Sequence, residues 1–414
     1  MQSNKKKILV VSQYFWPENF RVNELVLGFQ KKGFDVEVLT SIPNYPSGKI
    51  FKEYKDNPKK FSFYNNILVH RVPQILRGTN KLTILFNYIS FVISSCYFCF
   101  FYLRKKDYKF IFGVQLSPIF SIIPAILCKK IFNKKLFVWV LDIWPDSINS
   151  VSIKLPNFLY LIVKKISTYI YLSADYLFIT SMGFKNRLIE MGVHDSKIKY
   201  FPQWIEKEYL TEVSQNDEKY IEVNNILSKW ADKKLFLFTG NIGEAQDFKN
   251  LLLGFKNAKE INSLVFLIIG DGRYKVTLKN LITKLALSDN VHLLGSFDSD
   301  YMKYFYNRAD ILVFSLADIP IFNLTLPGKV QSYMSSGKTI IGMVNGESSY
   351  IIKDAGCGFI SDSGNSLEFS KLIDKCCLMS DRELDHIGSK GKEYASKNFS
   401  YENLMNKVTK YILS

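Results

Sequence analysis

Two glycine-rich turns in the second half of the chain have the composition of a phosphate-binding site. Residues 240–246 follow the apolar run Lys234–Thr239, and residues 270–273 follow the apolar run Leu264–Ile269. A glycine-rich turn between a strand and a helix exposes backbone N–H groups, and such groups bind anions. The glycine spacing differs from that of the dinucleotide fingerprint. Together the two turns predict a nucleotide that is bound through its phosphates.

A lysine near the start of a predicted helix points to the same chemistry. Lys329 comes directly after Leu326, Pro327 and Gly328. A cation at a helix N-terminus is unfavourable against the helix dipole, so a bound anion would account for its position. An exposed lysine with no ligand is the alternative interpretation.

In the first half, two carboxylates follow a predicted strand at 136–141. An Asp at the end of a buried strand must be paired or must face a cleft, which makes Asp142 a candidate catalytic group. Asp142 and Asp146 are four positions apart and could do acid/base work or stabilise charge. Asp146 or Ser147 could instead cap the next helix.

The segment after the first apolar run is long for a strand-to-helix turn. Residues 13–21 are aromatic and carry Glu18 and Arg21, a composition that favours a binding loop. Residues 41–48 follow the second run and contain two prolines and a glycine. This second segment predicts a rigid turn.

All these positions lie at the ends of predicted strands. Apolar runs separated by helical patterns, such as 22–32 and 184–191, predict parallel sheets with helices on both faces. Ligands of such sheets bind beyond the carboxyl ends of the strands. The polar segment 206–233 is interpreted as a connection between two α/β units. The predicted strands are 7–12, 36–40, 68–72, 110–114, 136–141 and 176–180, then 234–239, 264–269, 291–294, 311–314 and 339–344.

The amino-acid composition limits the classes of protein to which the chain can belong. The chain has 414 residues, 47% of them hydrophobic and 22% charged, which predicts two domains and excludes a disordered, collagen-like or coiled-coil protein. Six cysteines are too few for a disulfide scaffold and indicate a reduced, cytoplasmic compartment. The four histidines form no metal motif, and no serine lies in a nucleophile elbow. Metal catalysis and covalent serine chemistry are therefore disfavoured.

The net charge of +16 lies in the first half of the chain. Residues 1–203 hold 29 Lys and Arg against 12 Asp and Glu, whereas residues 204–414 hold 25 against 26. This asymmetry indicates an anionic partner, either nucleic acid or an anionic membrane surface, although a lysine-rich proteome would also produce it.

Two uncharged runs reach the length of a membrane span. Leu82–Leu103 has 22 residues and several polar interruptions, so a span competes with a core helix or a membrane-surface helix. The run at 110–128 contains two prolines and is interpreted as a strand, a turn and a helix.

Several stretches together resemble a known family. The chain is similar to retaining glycosyltransferases of the GT-B type, glycosyltransferase family 4-like, and within them to bacterial capsule, O-antigen and colanic-acid enzymes, including fucosamine transferases. The resemblance implies an α/β fold of two Rossmann-like parallel-sheet domains that face each other across a cleft. The matching stretches are 12–18, 43–51, 142–147, 239–246, 309–314 and 326–338.

The resemblance also implies a division of labour. Residues 1–205 would form an acceptor-binding, membrane-facing domain, residues 206–395 a nucleotide-sugar domain, and residues 396–414 a C-terminal helix that can pack back on the first domain. The activity would be transfer of a sugar, such as an N-acetylated amino or deoxy sugar, from a UDP-sugar to a polyprenyl-diphosphate-linked glycan, with retention. No metal, obligatory cofactor or nucleic acid is expected. The expected location is the cytoplasmic face of the cell membrane.

The resemblance assigns site residues by position. It implies that residues 240–246 face the diphosphate, that 270–273 and 295–296 border the base, and that 326–329 approach the diphosphate or sugar. Asp142 would lie near the transferred sugar, with Asn19 and Arg21 closing from the other side. The candidate substrate-binding residues are Glu18, Asn19, Arg21, Gly240, Asn241, Gly243, Glu244, Gln246, Gly272, Arg273, Gly295, Ser296, Pro327, Gly328 and Lys329.

One departure from the family leaves alternatives open. Many relatives carry two glutamates with seven residues between them, but these positions hold Leu324 and Ser332 here. Asp318, Gln331 and Glu347 are candidates for the missing role. A nucleotide-sugar epimerase of the same architecture and a catalytically inactive, membrane-associated scaffold are the alternative functions.

Overall fold

The computed structural model describes residues 6–150 and 156–414 and divides the chain into two units. The first unit comprises Met1–Pro202 together with Leu404–Ser414, and the second comprises Gln203–Asn403. Each unit is built on its own sheet, and each is described separately below.

In the first unit the described strands form a sheet in the order β3-β4-β2-β1-β5-β6-β7-β8. Every neighbouring pair is parallel except β3 and β4, which are antiparallel. The strands are β1 (Lys7–Val11), β2 (Asp35–Ser41), β3 (Phe63–Tyr64), β4 (Ile67–Val72), β5 (Phe110–Gln115), β6 (Lys135–Val140), β7 (Tyr176–Ile179) and β8 (Ile198–Tyr200). The helices that belong to this part of the chain are α1 (Val22–Lys31), α2 (Lys52–Asp56), α3 (Lys81–Phe98), α4 (Ile123–Phe132), α5 (Asn157–Ser173) and α6 (Gly183–Glu190).

In the second unit the described strands form an entirely parallel sheet in the order β11-β10-β9-β12-β13-β14. The strands are β9 (Lys234–Thr239), β10 (Leu264–Ile269), β11 (Val291–Gly295), β12 (Ile311–Ser315), β13 (Thr339–Met343) and β14 (Gly358–Ser361). The helices are α7 (Glu218–Leu227), α8 (Phe248–Asn257), α9 (Lys275–Lys284), α10 (Met302–Arg308), α11 (Pro320–Leu324), α12 (Gly328–Ser336), α13 (Gly346–Ala355), α14 (Ser366–Leu378) and α15 (Asp381–Asn398). The last helix, α16 (Tyr401–Leu413), belongs to the first unit from Leu404 onward.

The central strand β9 shows why these runs are apolar at consecutive positions. Leu235 and Leu237 belong to the core on one face of the sheet, and Phe236 and Phe238 belong to the core on the other face. Side chains alternate along a strand, so a strand covered on both faces must be apolar throughout. The two parallel sheets confirm the α/β fold predicted from the sequence.

The segment 206–233 differs from its interpretation as a connection. It contains α7, which buries Val223 and Leu227 in the core of the second unit. The two buried positions are four residues apart, and the charged residues on either side of the helix made the segment resemble a connection in the sequence.

In each sheet, an aspartate that precedes one strand fixes its register against the neighbouring parallel strand. Asp175 accepts a hydrogen bond from the N–H of Leu136 at 2.7 Å, and Asp310 accepts one from the N–H of Leu235 at 2.7 Å. Each aspartate N–H also donates to the carbonyl of the same leucine. These paired bonds fix where neighbouring parallel strands begin.

Helix α3 is attached to the first unit along its whole length by a narrow stripe. Asn87, Phe91 and Ser95 are fully buried, and the stripe continues through Cys99 and Leu103 in a π-helical turn that prolongs the helix. The spacing of four residues keeps these side chains on one face. By length and composition alone, the whole segment Leu82–Leu103 could cross a membrane. Only 22% of its most apolar part is buried against the protein.

The carboxylate of Glu37 on β2 is buried among cationic and phenolic partners. His70 lies 2.7 Å from it and Lys7 3.0 Å from it, and Tyr108 donates a short hydrogen bond to it. Lys106 completes the cluster at 3.1 Å. Burial alone would raise the pKa of Glu37, but these hydrogen bonds hold its pKa well below its usual range.

We expect Glu37→Gln to lower the free energy of unfolding by about 3 kcal/mol, since it leaves buried partners without their charge. Because the folded pKa lies below the unfolded one, the stabilisation is complete above about pH 4.5 and declines as the pH falls below it. Urea denaturation at pH 7 and pH 4 measures both effects. An equal loss of stability on acidification in wild type and variant would contradict the assignment.

Candidate functional site

Three glycines bring the ends of neighbouring strands together in the second unit. Gly240, Gly270 and Gly295 lie at the carboxyl ends of β9, β10 and β11, all with positive φ. The N–H of Gly240 donates to the carbonyl of Ile269 at 2.9 Å, and that of Gly270 to the carbonyl of Gly295 at 2.8 Å. A Cβ on Gly270 would overlap the Gly240 carbonyl. Glycine at this position therefore permits a backbone contact that no side chain would allow.

The two predicted phosphate turns lie against each other. The N–H of Ile242 donates to the carbonyl of Asp271 at 2.8 Å, and the N–H of Tyr274 donates to the carbonyl of Ile242 at 3.0 Å. The side-chain oxygen of Asn241 lies 2.8 Å from the position that a Cβ on Gly272 would take. The structure thus brings Asn241 and Gly272 side by side.

Other predicted members of the first turn bond within it. The N–H of Gly243 donates to Oε1 of Gln246 at 3.0 Å, and the carbonyl of Gln246 accepts a hydrogen bond from Ser315 on β12. Glu244 is exposed at the start of the short 3-10 turn Glu244–Gln246. Gln246 therefore shapes this turn, and the Gly243 N–H already has a partner.

Lys329 lies over Gly240. Its Nζ is 3.7 Å from the centre of the Phe238 ring and 3.0 Å from the position that a Cβ on Gly240 would take. No carboxylate within the described ranges lies within 4.0 Å of this ammonium group. Burial lowers the pKa of Lys329 to about 7. The site thus holds a cation with no counter-charge, and its proton equilibrates near neutral pH.

Buried phenols attach two helices to β9: Tyr333 on α12, the helix that carries Lys329, and Tyr306 on α10. Tyr333 OH accepts a hydrogen bond from the N–H of Thr239 at 2.8 Å, and Tyr306 OH lies 2.9 Å from Oγ1 of Thr239. Burial raises the pKa of both tyrosines. Pro327 caps this helix, and Gly328 is its first residue. Sequence reasoning did not single out Tyr333 or Tyr306, because nothing local marks a phenol that contacts a strand 94 or 67 residues away.

The residues predicted to border the base are at the surface. Arg273 and Ser296 are exposed, and Gly295 leaves open space where a side chain would lie. The structure places Gly295 beside Gly270, on the same edge as the phosphate turns.

Uncharged residues stand at the two positions where many members of the resembled family carry glutamates. Leu324 ends α11, and Ser332 donates to the carbonyl of Gly328 at 3.2 Å. Gln331 donates to the carbonyl of Gln203 at 2.8 Å, while its Oε1 is buried with no hydrogen-bond partner among the described residues. A buried acceptor without a partner at the start of α12 makes Gln331 a better candidate for hydroxyl recognition than the exposed pair around Asp318.

Glu18 in the first unit holds two loops together. Its carboxylate accepts hydrogen bonds from the N–H groups of Asn44 at 2.8 Å, Tyr45 at 2.7 Å and Phe15 at 3.2 Å. The side chain is buried, and burial raises its pKa against the opposing effect of these bonds. Glu18 therefore joins the loops after β1 and β2, and its carboxylate is directed at protein backbone.

The neighbouring candidates are more accessible. Asn19 is exposed, and Arg21 is half-buried with Nη1 3.8 Å from the carboxylate of Glu24. Both remain on the loop that follows β1, as predicted from the sequence.

Asp142 and Asp146 have different partners. Asp142 follows β6, accepts a short hydrogen bond from Ser147, and has its pKa raised by burial. Asp146 pairs with Arg187 at 2.8 Å. The ion pair occupies Asp146, so Asp142 is the carboxylate left for chemistry at this strand end.

We expect Gly270→Ala to lower the free energy of unfolding by about 3 kcal/mol or more, since its Cβ would overlap a neighbouring carbonyl. Gly295→Ala is the matched control, with positive φ but open space, and should cost about 1 kcal/mol. Thermal or urea denaturation measures both variants. Equal effects would contradict the close backbone contact.

Comparison with known families agrees with this geometry. Residues 221–394 match the model of the family described as glycosyl transferases group 1. The matched segment contains the phosphate turns, the strand-end glycines and Lys329.

Two curated relatives are similar over part of their length. The probable glycosyltransferase WbjE of Pseudomonas aeruginosa is 23% identical over 64% of this chain and 65% of its own length. The putative colanic acid biosynthesis glycosyl transferase WcaI of Escherichia coli is 30% identical over 26% of each chain. The chain thus spans less than two thirds of the length of these relatives.

A solved structure shows the same fold over nearly the whole chain. Anabaena Alr3699/HepE, in complex with UDP and glucose, is 16% identical, with a TM-score of 0.69 over 98% of this chain and 99% of that protein. The chain is therefore similar to the glycosyl transferases group 1 family over residues 221–394, and its two parallel-sheet units have the GT-B fold.

Proposed function

We propose that this protein transfers a sugar from a UDP-sugar to a polyprenyl-diphosphate-linked glycan in the synthesis of a bacterial capsule or O-antigen. The observation that carries the proposal is Lys329, a cation without a counter-charge that lies over the strand-end glycine Gly240. Such a site suits a diphosphate. The UDP and glucose in the Anabaena structure support the donor class, and the name of the colanic acid relative supports polysaccharide synthesis.

The proposed reaction is a front-face displacement with retention. An acceptor hydroxyl oxygen bonds to the anomeric carbon on the face from which the UDP oxygen departs, and the hydroxyl proton passes to the departing diphosphate. Negative charge therefore develops on the diphosphate, where Lys329, Arg273 and the N–H of Asn241 would stabilise it. The N–H groups of Gly240, Ile242, Gly243 and Gln246 already donate within the protein. Asp142 would stabilise positive charge on the sugar.

We also propose that the enzyme works as a peripheral protein on the cytoplasmic face of the cell membrane. Helix α3 and its π-helical extension expose large apolar side chains, although a buried stripe fixes the helix to the first unit. This combination favours a helix lying on a bilayer over one that crosses it. Helix α5 exposes a second apolar set, and the basic charge of residues 1–203 suits an anionic leaflet. The exposed apolar residues are Leu82, Leu85, Phe86, Ile89, Ile93, Tyr97, Phe100, Phe101 and Tyr102, with Phe158, Leu159, Leu161, Ile162, Tyr169 and Leu172 on α5.

Transfer of labelled sugar from UDP-sugars to a lipid-diphosphate acceptor tests the reaction. We expect Lys329→Met to lower kcat/KM by about 100-fold, and Lys279→Met, at an exposed position of α9, to leave it unchanged. Sugar conversion that needs no acceptor would favour the epimerase, and no conversion by wild type would contradict the proposal.

The Lys329→Met variant also tests the site through the pH dependence of UDP binding. Lys329 is protonated below its pKa of about 7, so the affinity for UDP should fall as the pH rises from 6 to 9. Titration calorimetry measures this fall, which Lys329→Met should abolish. An unchanged pH dependence in the variant would contradict a diphosphate at Lys329.

A charge on the exposed face of α3 should release the protein from membranes. We expect Ile93→Glu to reduce binding to anionic vesicles about tenfold in a flotation assay, since a charge replaces an exposed apolar side chain that would contact the bilayer. Val276→Glu, at an exposed apolar position of the second unit, is the control. Equal binding of wild type and both variants would contradict the membrane face.

A further inference from the structure

Arg77, in the loop between β4 and α3, is held in a group of tyrosines. Its Nη1 donates to the phenolic oxygens of Tyr88 at 2.8 Å and Tyr14 at 3.2 Å. The guanidinium carbon lies 5.4 Å from the centre of the Tyr45 ring and 5.7 Å from that of Tyr88. Three loops and one helix of the first unit therefore fix a single cation.

The guanidinium of Arg77 retains N–H donors that can bind a ligand. It makes no other hydrogen bond, and no carboxylate lies within 4.0 Å of it, in the part of the chain that the structure describes. Arg187, by contrast, pairs with both Asp146 and Glu190. Since a guanidinium has five N–H donors in a planar fork, the free edge of Arg77 can bind a planar pair of anionic oxygens.

The backbone of Arg77 is also fixed. Its N–H donates to Oδ1 of Asn44 at 3.1 Å, and its carbonyl lies where a Cβ on Gly48 would be. The loop after β2 therefore packs directly against the arginine. A rigid cation loses little freedom when it binds a ligand.

The surface around Arg77 is apolar and open to solvent. Ile75 and Leu76 precede it in the same loop, and both are exposed. Leu82, Leu85 and Phe86 are exposed on the first turns of α3. A fixed cation with free donors among exposed apolar side chains matches the phosphate level of a bilayer, where a charged head lies above hydrocarbon.

We propose that Arg77 binds the diphosphate of the lipid-linked acceptor, with the lipid chain alongside the exposed residues of α3. This inference rests on the proposed transfer to a lipid-linked glycan and names the group that recognises the lipid. The phosphate of an ordinary phospholipid has related chemistry. The fixed fork of one arginine favours the diphosphate, because scattered lysines attract bulk anionic lipid without fixed geometry.

Vesicle binding without any donor sugar tests this site separately from transfer. The probes are phosphatidylcholine vesicles that carry polyprenyl diphosphate, the same vesicles carrying polyprenol, and vesicles of phosphatidylglycerol. We expect Arg77→Gln to weaken binding to the diphosphate vesicles about tenfold and to change binding to the other two less than about twofold. Arg382→Gln, at an exposed position of α15 in the second unit, should bind like wild type.

Two further variants separate binding from folding. Tyr88→Phe keeps the ring but removes the oxygen that orients Arg77, and it should weaken diphosphate binding to a smaller degree. Arg77→Lys keeps the charge without the fork and should restore only part of the binding. An Arg77→Gln variant that binds the diphosphate vesicles like wild type would overturn the proposal. So would an equal loss of binding to phosphatidylglycerol, which would assign Arg77 to bulk lipid.

Discussion

The close contact between Gly240 and Gly270 is the constraint on which the site in the second unit depends. The backbone of one strand end touches that of the next, and a side chain at either position would interfere with this arrangement. The missing side chain at Gly240 also leaves room for Lys329, whose ammonium group lies over that glycine and the Phe238 ring. The backbone contact therefore needs glycine at position 270, and the position of the Lys329 ammonium needs glycine at position 240, so two adjoining glycines shape the site together.

In the first unit, burial divides the acidic residues by role. Glu37 and Glu18 are buried and satisfied by several donors, so they organise β2 and the loops after β1 and β2. Asp146 is paired with Arg187. Asp142 is left with neutral partners at the end of β6, and burial raises its pKa. Among these four carboxylates, Asp142 accepts its side-chain hydrogen bonds from neutral serine hydroxyls, which distinguishes it from the ion-paired Asp146 and Glu37.

The sequence pattern predicted the strands that are buried on both faces. The runs at 234–239 and 264–269 coincide with β9 and β10, because positions 235–238 of β9 and all positions of β10 are apolar and buried. The strands β3, β8 and β14 were not predicted, since each has only two to four residues. Helix α7 was also missed, because polar residues surround its two buried side chains.

In the candidate site, the sequence predicted the residues that a short local pattern can identify. Glycine turns and Lys329 are local signals, and the structure brings Gly240, Gly270 and Lys329 together. The partners of Glu18 are 26 and 27 residues away, and Arg187 is 41 residues from Asp146. The phenols that hold α12, and those around Arg77, are similarly distant in sequence. Pairings of this kind depend on the packing of the folded chain, and one sequence does not reveal them.

A crystal structure of the protein with UDP tests the central claim most directly. We expect diphosphate oxygens within hydrogen-bond distance of Lys329 Nζ and of the N–H of Asn241. UDP bound away from Gly240 and Lys329, or a saturated crystal with no UDP in the second unit, would contradict it.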